Sequence, residues 1–237
     1  MKKHNLNLPS QRREFLGTLA TGVAAFGLTT LAAPLHLGAA SLPLSDEEDN
    51  LPDDPEAWFA KIKGKHRIMF DVTHPKEIMP FVWPRVFLIT NEKTGATAKD
   101  CGVVVVLRHD GIPYAFENRL WEKYNFGEIF KADDPATKAP AIRNPFWKPK
   151  KGDFKVPGFG EVPIGINELQ DSGVMFCVCD VAITVYSAVV ADKMKMTAAE
   201  VKKDWLSGLL PKVKVVPSGV WAVGRAQEHG CAYCAVA

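Results

Sequence analysis

Four consecutive valines limit what this chain can become. Gly102-Val103-Val104-Val105-Val106-Leu107 has no polar side chain to turn toward water. β-Branched residues favour the extended backbone, and a strand apolar on both faces must be covered on both. A sheet with one wet face would show alternation instead. The run therefore predicts a central strand of a parallel sheet, with helices packed above and below it.

The surrounding segments keep to that plan. His66–Val72 reads as an earlier strand, and 174–179, Val213–Val216 and 231–236 as three later ones. Helical stretches separate them. Over 76–90, Ile78, Phe81, Val82, Val86 and Ile89 recur near the 3.6 period, with Pro80 and Pro84 in the first turns or at a kink. Residues 118–124 form a second helix, with Phe116, Trp121 and Tyr124 turned inward, and 164–171 a short third closed by Gly173. Asp180 is placed to cap a helix over 181–191, whose Val181, Ala182, Val185, Tyr186 and Val189 share one face. Thr197 and Glu200 spell a capping box for 197–206, and Ser218 caps 219–228, which stops at Gly230. Five strands alternating with helices predict an α/β protein. The expected architecture is a single three-layer α/β/α domain on a mainly parallel five-stranded sheet.

The first residues read as a targeting segment. Ser10-Gln11-Arg12-Arg13-Glu14-Phe15-Leu16 holds the R-R-x-F-L core of a twin-arginine (Tat) export signal. An apolar run over 19–33 follows, and Gly38-Ala39-Ala40 offers small residues for cleavage. The alternative is a membrane anchor, which the shortness of the run and its poverty in Leu and Ile disfavour. Residues 1–40 are read as the signal, 41–57 as an acidic linker and 58–237 as the domain. Seven acids and two prolines crowd the stretch from Ser45 to Glu56. Within the domain, 132–163 contains six prolines and reads as an insertion or lid. Gly158-Phe159-Gly160 inside it lacks the strand and helix of a dinucleotide fingerprint, and no cofactor is expected. The first forty residues hold four of the 29 basic residues but one of the 27 acidic ones, so the rest is close to neutral. That balance excludes an electrostatic footprint for nucleic acid or, once the signal is removed, for an anionic membrane. Export makes the expected location periplasmic and permits disulfides.

In open parallel sheets, ligands gather beyond the carboxyl ends of the strands. Those ends carry Thr73 and His74, then Arg108, His109 and Asp110, then Cys177 and Cys179, then Pro217 and Ser218. Cys179 is the sharpest of them. At a strand-to-helix junction, free N–H groups and the helix dipole favour thiolate, although Asp180 acts the other way. The alternative is a buried structural cysteine. Cys177 shares its face and reads as core. Cys231-Ala232-Tyr233-Cys234 is a C-x-x-C, but a strand sends its thiols to opposite faces. A disulfide to Cys101, or simple burial, is expected there before a redox role. Five cysteines leave at least one without an intramolecular partner. His74 and His109 have a plain reading as strand-end residues, and Arg108 as a solvated charge. No G-x-S-x-G elbow is present.

Several segments, in order, resemble one family. They are 103–108 with His109-Asp110-Gly111-Ile112-Pro113-Tyr114, and then Gly173-Val174-Met175-Phe176-Cys177-Val178-Cys179. Leu209-Leu210-Pro211-Lys212-Val213-Lys214-Val215-Val216-Pro217-Ser218-Gly219-Val220 and Ala226-Gln227-Glu228-His229-Gly230 complete the set. Together they are similar to the DsrE/DsrF-like sulfur-relay family over about residues 65–236. The chain departs from that pattern in its export signal, its insertion and the extra Cys177. The resemblance implies a three-layer α/β/α domain of a kind that assembles into homo- or hetero-oligomers, a homo-oligomer being expected here. It also implies a cysteine after the third strand, here Cys179, that carries sulfur as a persulfide. A sulfur transferase or carrier would meet small sulfur species or a sulfur-carrier protein, with His109 and Arg108 stabilising anionic sulfur. Two alternatives stand beside it: a non-enzymatic ligand-binding or assembly module of the same fold, and a metal-binding domain using Cys179 with His74 or His109.

Overall fold

The computed structural model describes residues 54–236. Residues 1–53, where the export signal and most of the linker are expected, and Ala237 lie outside the described residues. The strands are β1 (His66–Val72), β2 (Cys101–Leu107), the short β3 (Lys155–Val156) and β4 (Gly160–Glu161), β5 (Met175–Cys179), β6 (Val213–Val216) and β7 (Ala232–Val236). The helices are α1 (Pro55–Phe59), α2 (Met79–Lys93), α3 (Asn118–Tyr124), α4 (Phe126–Ile129), α5 (Ile166–Asp171), α6 (Asp180–Met194), α7 (Ala198–Ser207) and α8 (Gly219–Glu228). Five strands form one sheet in the order β6-β5-β2-β1-β7, every neighbouring pair parallel. The valine run is its centre, as the sequence predicts. β3 and β4 make a separate antiparallel ribbon.

The two faces of the sheet are covered unequally. Phe70, Val72, Val103, Val105, Leu107, Phe176 and Val178 face the larger core, with α2 to α7. Met69, Val104, Val106 and Cys177 face a smaller one built from Phe59 and Ile62, in and just after α1, and from Ala222 and Ala226 of α8. Asp54 caps α1 by accepting the Glu56 N–H at 2.9 Å, and Glu56 lies 2.9 Å from Arg225 on α8. Residues 54–57, read above as linker, are thus structured with the domain.

Local signals place most elements. Thr197 and Glu200 close their capping box, and Ser218 accepts the Trp221 N–H at 3.1 Å. The Pro-rich segment has little regular structure, yet it does not hang free as a lid. Phe146 and Asn144 are fully buried, and Phe146 lies 4.3 Å from Phe81 and 5.1 Å from Phe154, ring to ring. It serves as a wall of the larger core.

Helix α6 corrects the expectation from periodicity. Val181, Val185 and Val189 are about half exposed, whereas Ala182, Ile183, Ser187, Val190 and Ala191 are buried. Its nine Ala, Val, Ile and Met residues are spread all round the helix, so spacing alone cannot choose a face. Three of the five buried residues, Ala182, Ser187 and Ala191, are small, which lets the helix backbone approach its neighbours.

A clamp joins α7 to α3. The Asp204 carboxylate accepts from Lys123 Nζ and Arg119 Nη1 at 2.7 Å and from the Tyr124 hydroxyl at 2.8 Å. Burial alone would push this carboxyl up, but the three donors outweigh it and hold it at about 2. The folded value lies below the ordinary one, so the stabilisation is full above pH ~4 and fades as pH falls toward 2. The stability gap between wild type and Asp204→Asn, measured by urea unfolding, should therefore shrink over that interval. A gap independent of pH would contradict the clamp.

Candidate functional site

The carboxyl ends of the strands hold the residues singled out above, but not as one cluster. The first group spans four adjacent strands. β2 and β5 pair in register through Leu107 and Val178, so Arg108 and Cys179 follow side by side. Arg108 turns toward β1. Its Nε donates to Asp71 Oδ1 at 2.6 Å and its Nη2 to Asp71 Oδ2 at 2.8 Å. From β7 the Tyr233 hydroxyl donates to the same Oδ2 at 2.8 Å. Asp71 is 2% exposed, so this carboxylate is desolvated and answered by three donors. The Asp71 bonds raise the Arg108 guanidinium above its ordinary range, and Cys179 adds a small push the same way. Gly219, the first residue of α8, packs on Arg108. Any Cβ there would overlap the arginine stem.

Cys179 sits where β5 becomes α6. Asp180 does not cap this helix, as the sequence had suggested. Cys179 is the cap, its Sγ accepting the Ala182 N–H at 3.3 Å. Asp180 lies in the first turn and pairs with Lys202 on α7 at 3.0 Å. By alternation Cys179 would share the face of Cys177, yet the residue packs with the larger core and is 6% exposed. The Cys179 sulfur therefore stands at the amino end of a 15-residue helix, facing a free N–H. Arg108 adds less than an unpaired guanidinium would, because Asp71 answers most of its charge.

His109 belongs to a second group. It occupies the left-handed region with φ 51°, uncommon for a residue with a side chain. Its Nδ1 lies 3.3 Å from Asp110 Oδ2, and its ring meets Tyr186 edge-on at 6.2 Å. The Tyr186 hydroxyl donates to Asp110. The imidazole is thus paired with Asp110 and Tyr186 rather than with Cys179. His74 shares a 2.9 Å contact between its Nδ1 and Thr73 Oγ1. Among the described residues, no three His, Cys, Asp or Glu side chains are grouped to hold a metal ion.

All five cysteines are free thiols. Burial pushes Cys177 far up and Cys231 up to about 11, and it raises Cys101 and Cys234 as well. Cys231 packs in the smaller core and Cys234 against the larger one, the opposite faces that a strand imposes.

Asp71 and Tyr233 were not recognised from sequence. Asp71 did carry a signal, as a lone acid in the otherwise apolar end of a strand. Tyr233 carried none beyond its place between two cysteines.

No family model matches the chain, and no curated protein matches it. Among solved structures it is similar to a protein of unknown function, MTH1491 from Methanobacterium thermoautotrophicum. The identity is 17%, covering 72% of this chain and 98% of that one, with a TM-score of 0.37. Fold and rim together define an all-parallel α/β domain with a cysteine capping a helix at the carboxyl edge of its sheet. Among the described residues no helix is long and apolar enough to cross a membrane.

Proposed function

We propose that this is an exported, periplasmic sulfur-handling protein of the DsrE/DsrF-like kind, in which Cys179 carries a persulfide. One observation carries the reading: the Cys179 sulfur accepts an N–H at the start of α6, beside Arg108. The thiolate attacks a sulfur of an incoming polysulfide. One S–S bond forms, one breaks, and the shortened chain leaves with the electron pair. Arg108, held by Asp71, steadies the anionic sulfur from the side. His109 contributes only through the rim it shares with Asp110 and Tyr186. The partners are small sulfur species or a sulfur-carrier protein, and the chain acts as a homo-oligomer.

Iodoacetamide near pH 7 should label Cys179 before Cys101, Cys177, Cys231 or Cys234. Polysulfide should add whole sulfur atoms at Cys179, removable by a reducing thiol. Cys179→Ser should abolish the adduct without unfolding the protein, because serine is itself a good helix cap. The second reading rests on burial, since Cys179 is 6% exposed. If Cys179 resists alkylation until the protein is denatured, the carrier reading falls and a ligand-binding or assembly module replaces it.

A further inference from the structure

The opposite end of the sheet carries a cleft of about 370 Å³, at the low end of the range for small-molecule sites. Ile62, Cys101, Gly102, Val103, Gly173 and Met175 line it, and Lys61, Lys63 and Lys99 complete the wall. It lies at the amino ends of β2 and β5, about 20 Å along β2 from Arg108. The cleft is therefore separate from the rim that holds Cys179.

Its composition is lopsided. Ile62 and Val103 are buried and Met175 is half-buried, which makes an apolar floor. Every charged side chain in the lining is a lysine. Three lysines outside the cleft have an acid beside them: Lys123 pairs with Asp204, Lys202 with Asp180 and Lys212 with Asp171. Lys61, Lys63 and Lys99 have no ion pair with any described residue. Asp100, beside Lys99 in sequence, turns its Oδ2 to Thr97, accepting the backbone N–H at 2.9 Å and the hydroxyl at 2.8 Å. The thiol adds no negative charge to offset the lysines, since burial and then Asp100 push Cys101 up.

The frame is rigid where the lysines attach. Gly102 lets β2 run directly against the Lys63 carbonyl, and any side chain there would collide with that backbone. Lys61 and Lys63 thereby stand at fixed stations beside the floor. Lysine stems can extend an apolar surface while their ammonium groups stay in water at its edge. An apolar floor beside three cations that have no acidic partner among the described residues fits one class of ligand.

We propose that this cleft binds a small amphiphilic anion, with an apolar body on Ile62, Val103 and Met175 and a carboxylate, sulfonate or phosphate head between Lys61, Lys63 and Lys99. Cys101 is a reporter inside the cleft. In the full chain, decanoate should slow alkylation of Cys101 several-fold, read peptide by peptide, and leave the Cys179 rate unchanged. The triple variant Lys61→Ala, Lys63→Ala, Lys99→Ala alters only exposed side chains and should bind decanoate about tenfold more weakly, or worse. Its unaltered circular dichroism would show the fold intact. Decanoate that fails to protect Cys101, or that binds the triple variant as tightly as wild type, overturns the proposal. Protection by inorganic phosphate equal to that by decanoate also overturns it, since the apolar body would then contribute nothing. Because the readout is Cys101, failure here leaves the Cys179 reading untouched, and the reverse holds too.

Discussion

Asp71→Ala should lower stability by about 2–3 kcal/mol, a large effect for a residue outside the apolar core. Removing one partner of a buried ion pair costs about 3–5 kcal/mol, because the other charge is left without its answer. The Arg108 side chain is 28% exposed and can recover some hydration, which brings the expected loss below that range. Asp71→Asn keeps the shape and one acceptor oxygen and should cost less. Tyr233→Phe removes one of the three donors and should cost about 1 kcal/mol. Urea unfolding measures all three. A loss under ~1 kcal/mol for Asp71→Ala would mean the pair is no stronger than an exposed salt bridge. The same variants test the site. In the two Asp71 variants the Arg108 charge is no longer answered and is free to meet an anionic sulfur, so alkylation of Cys179 near pH 7 should quicken several-fold. An unchanged rate would show that the helix N–H alone governs the sulfur.

The largest loss of stability is expected from Trp205→Ala, about 3–5 kcal/mol. Trp205 is fully buried on α7, and its ring lies within 4.8–6.3 Å of Phe126, Tyr124, Phe116 and Phe130. These rings belong to, or flank, α3 and α4, so the truncation opens a cavity where α7 meets them. The Asp204 clamp sits one residue earlier in sequence and depends on the same contact. Trp205→Phe should cost far less. The indole N–H finds no hydrogen-bond acceptor among the described residues, so phenylalanine removes volume without breaking a polar contact. Thermal melts of the two variants separate these effects. A similar loss for both would indicate that the indole N–H is bonded after all, because lost volume alone cannot make Phe as damaging as Ala.

What could be read in advance depended on how far apart the deciding residues lie in the chain. β1 and β6 stand where their apolar runs predict, and α3 and α8 begin and end at the expected residues. Caps such as Thr197 with Glu200, and Ser218, act within one turn, so the local chain suffices. α6 shows where that stops. Its sequence is apolar nearly all round, and only the neighbours it meets decide that Val181, Val185 and Val189 face outward. The Pro-rich segment is similar: its prolines forbid long elements, but burial of Phe146 and Asn144 depends on α2 and the residues before α3.

By itself the sequence determined the α/β class, the parallel sheet and the placing of Cys179 at a strand-to-helix junction. All three follow from the extended preference of β-branched runs, the helical period and cap chemistry, which operate over a few residues. Tertiary structure alone decided that β7 lies beside β1, at the far edge from β6. That choice carries the Tyr233 hydroxyl to Asp71 across 162 residues of chain and turns Arg108 away from a free, solvated position. The packing of α6 in turn leaves His109 with Asp110 and Tyr186. Strand order is set by covering both faces of the sheet at once, a condition that no short stretch of sequence contains.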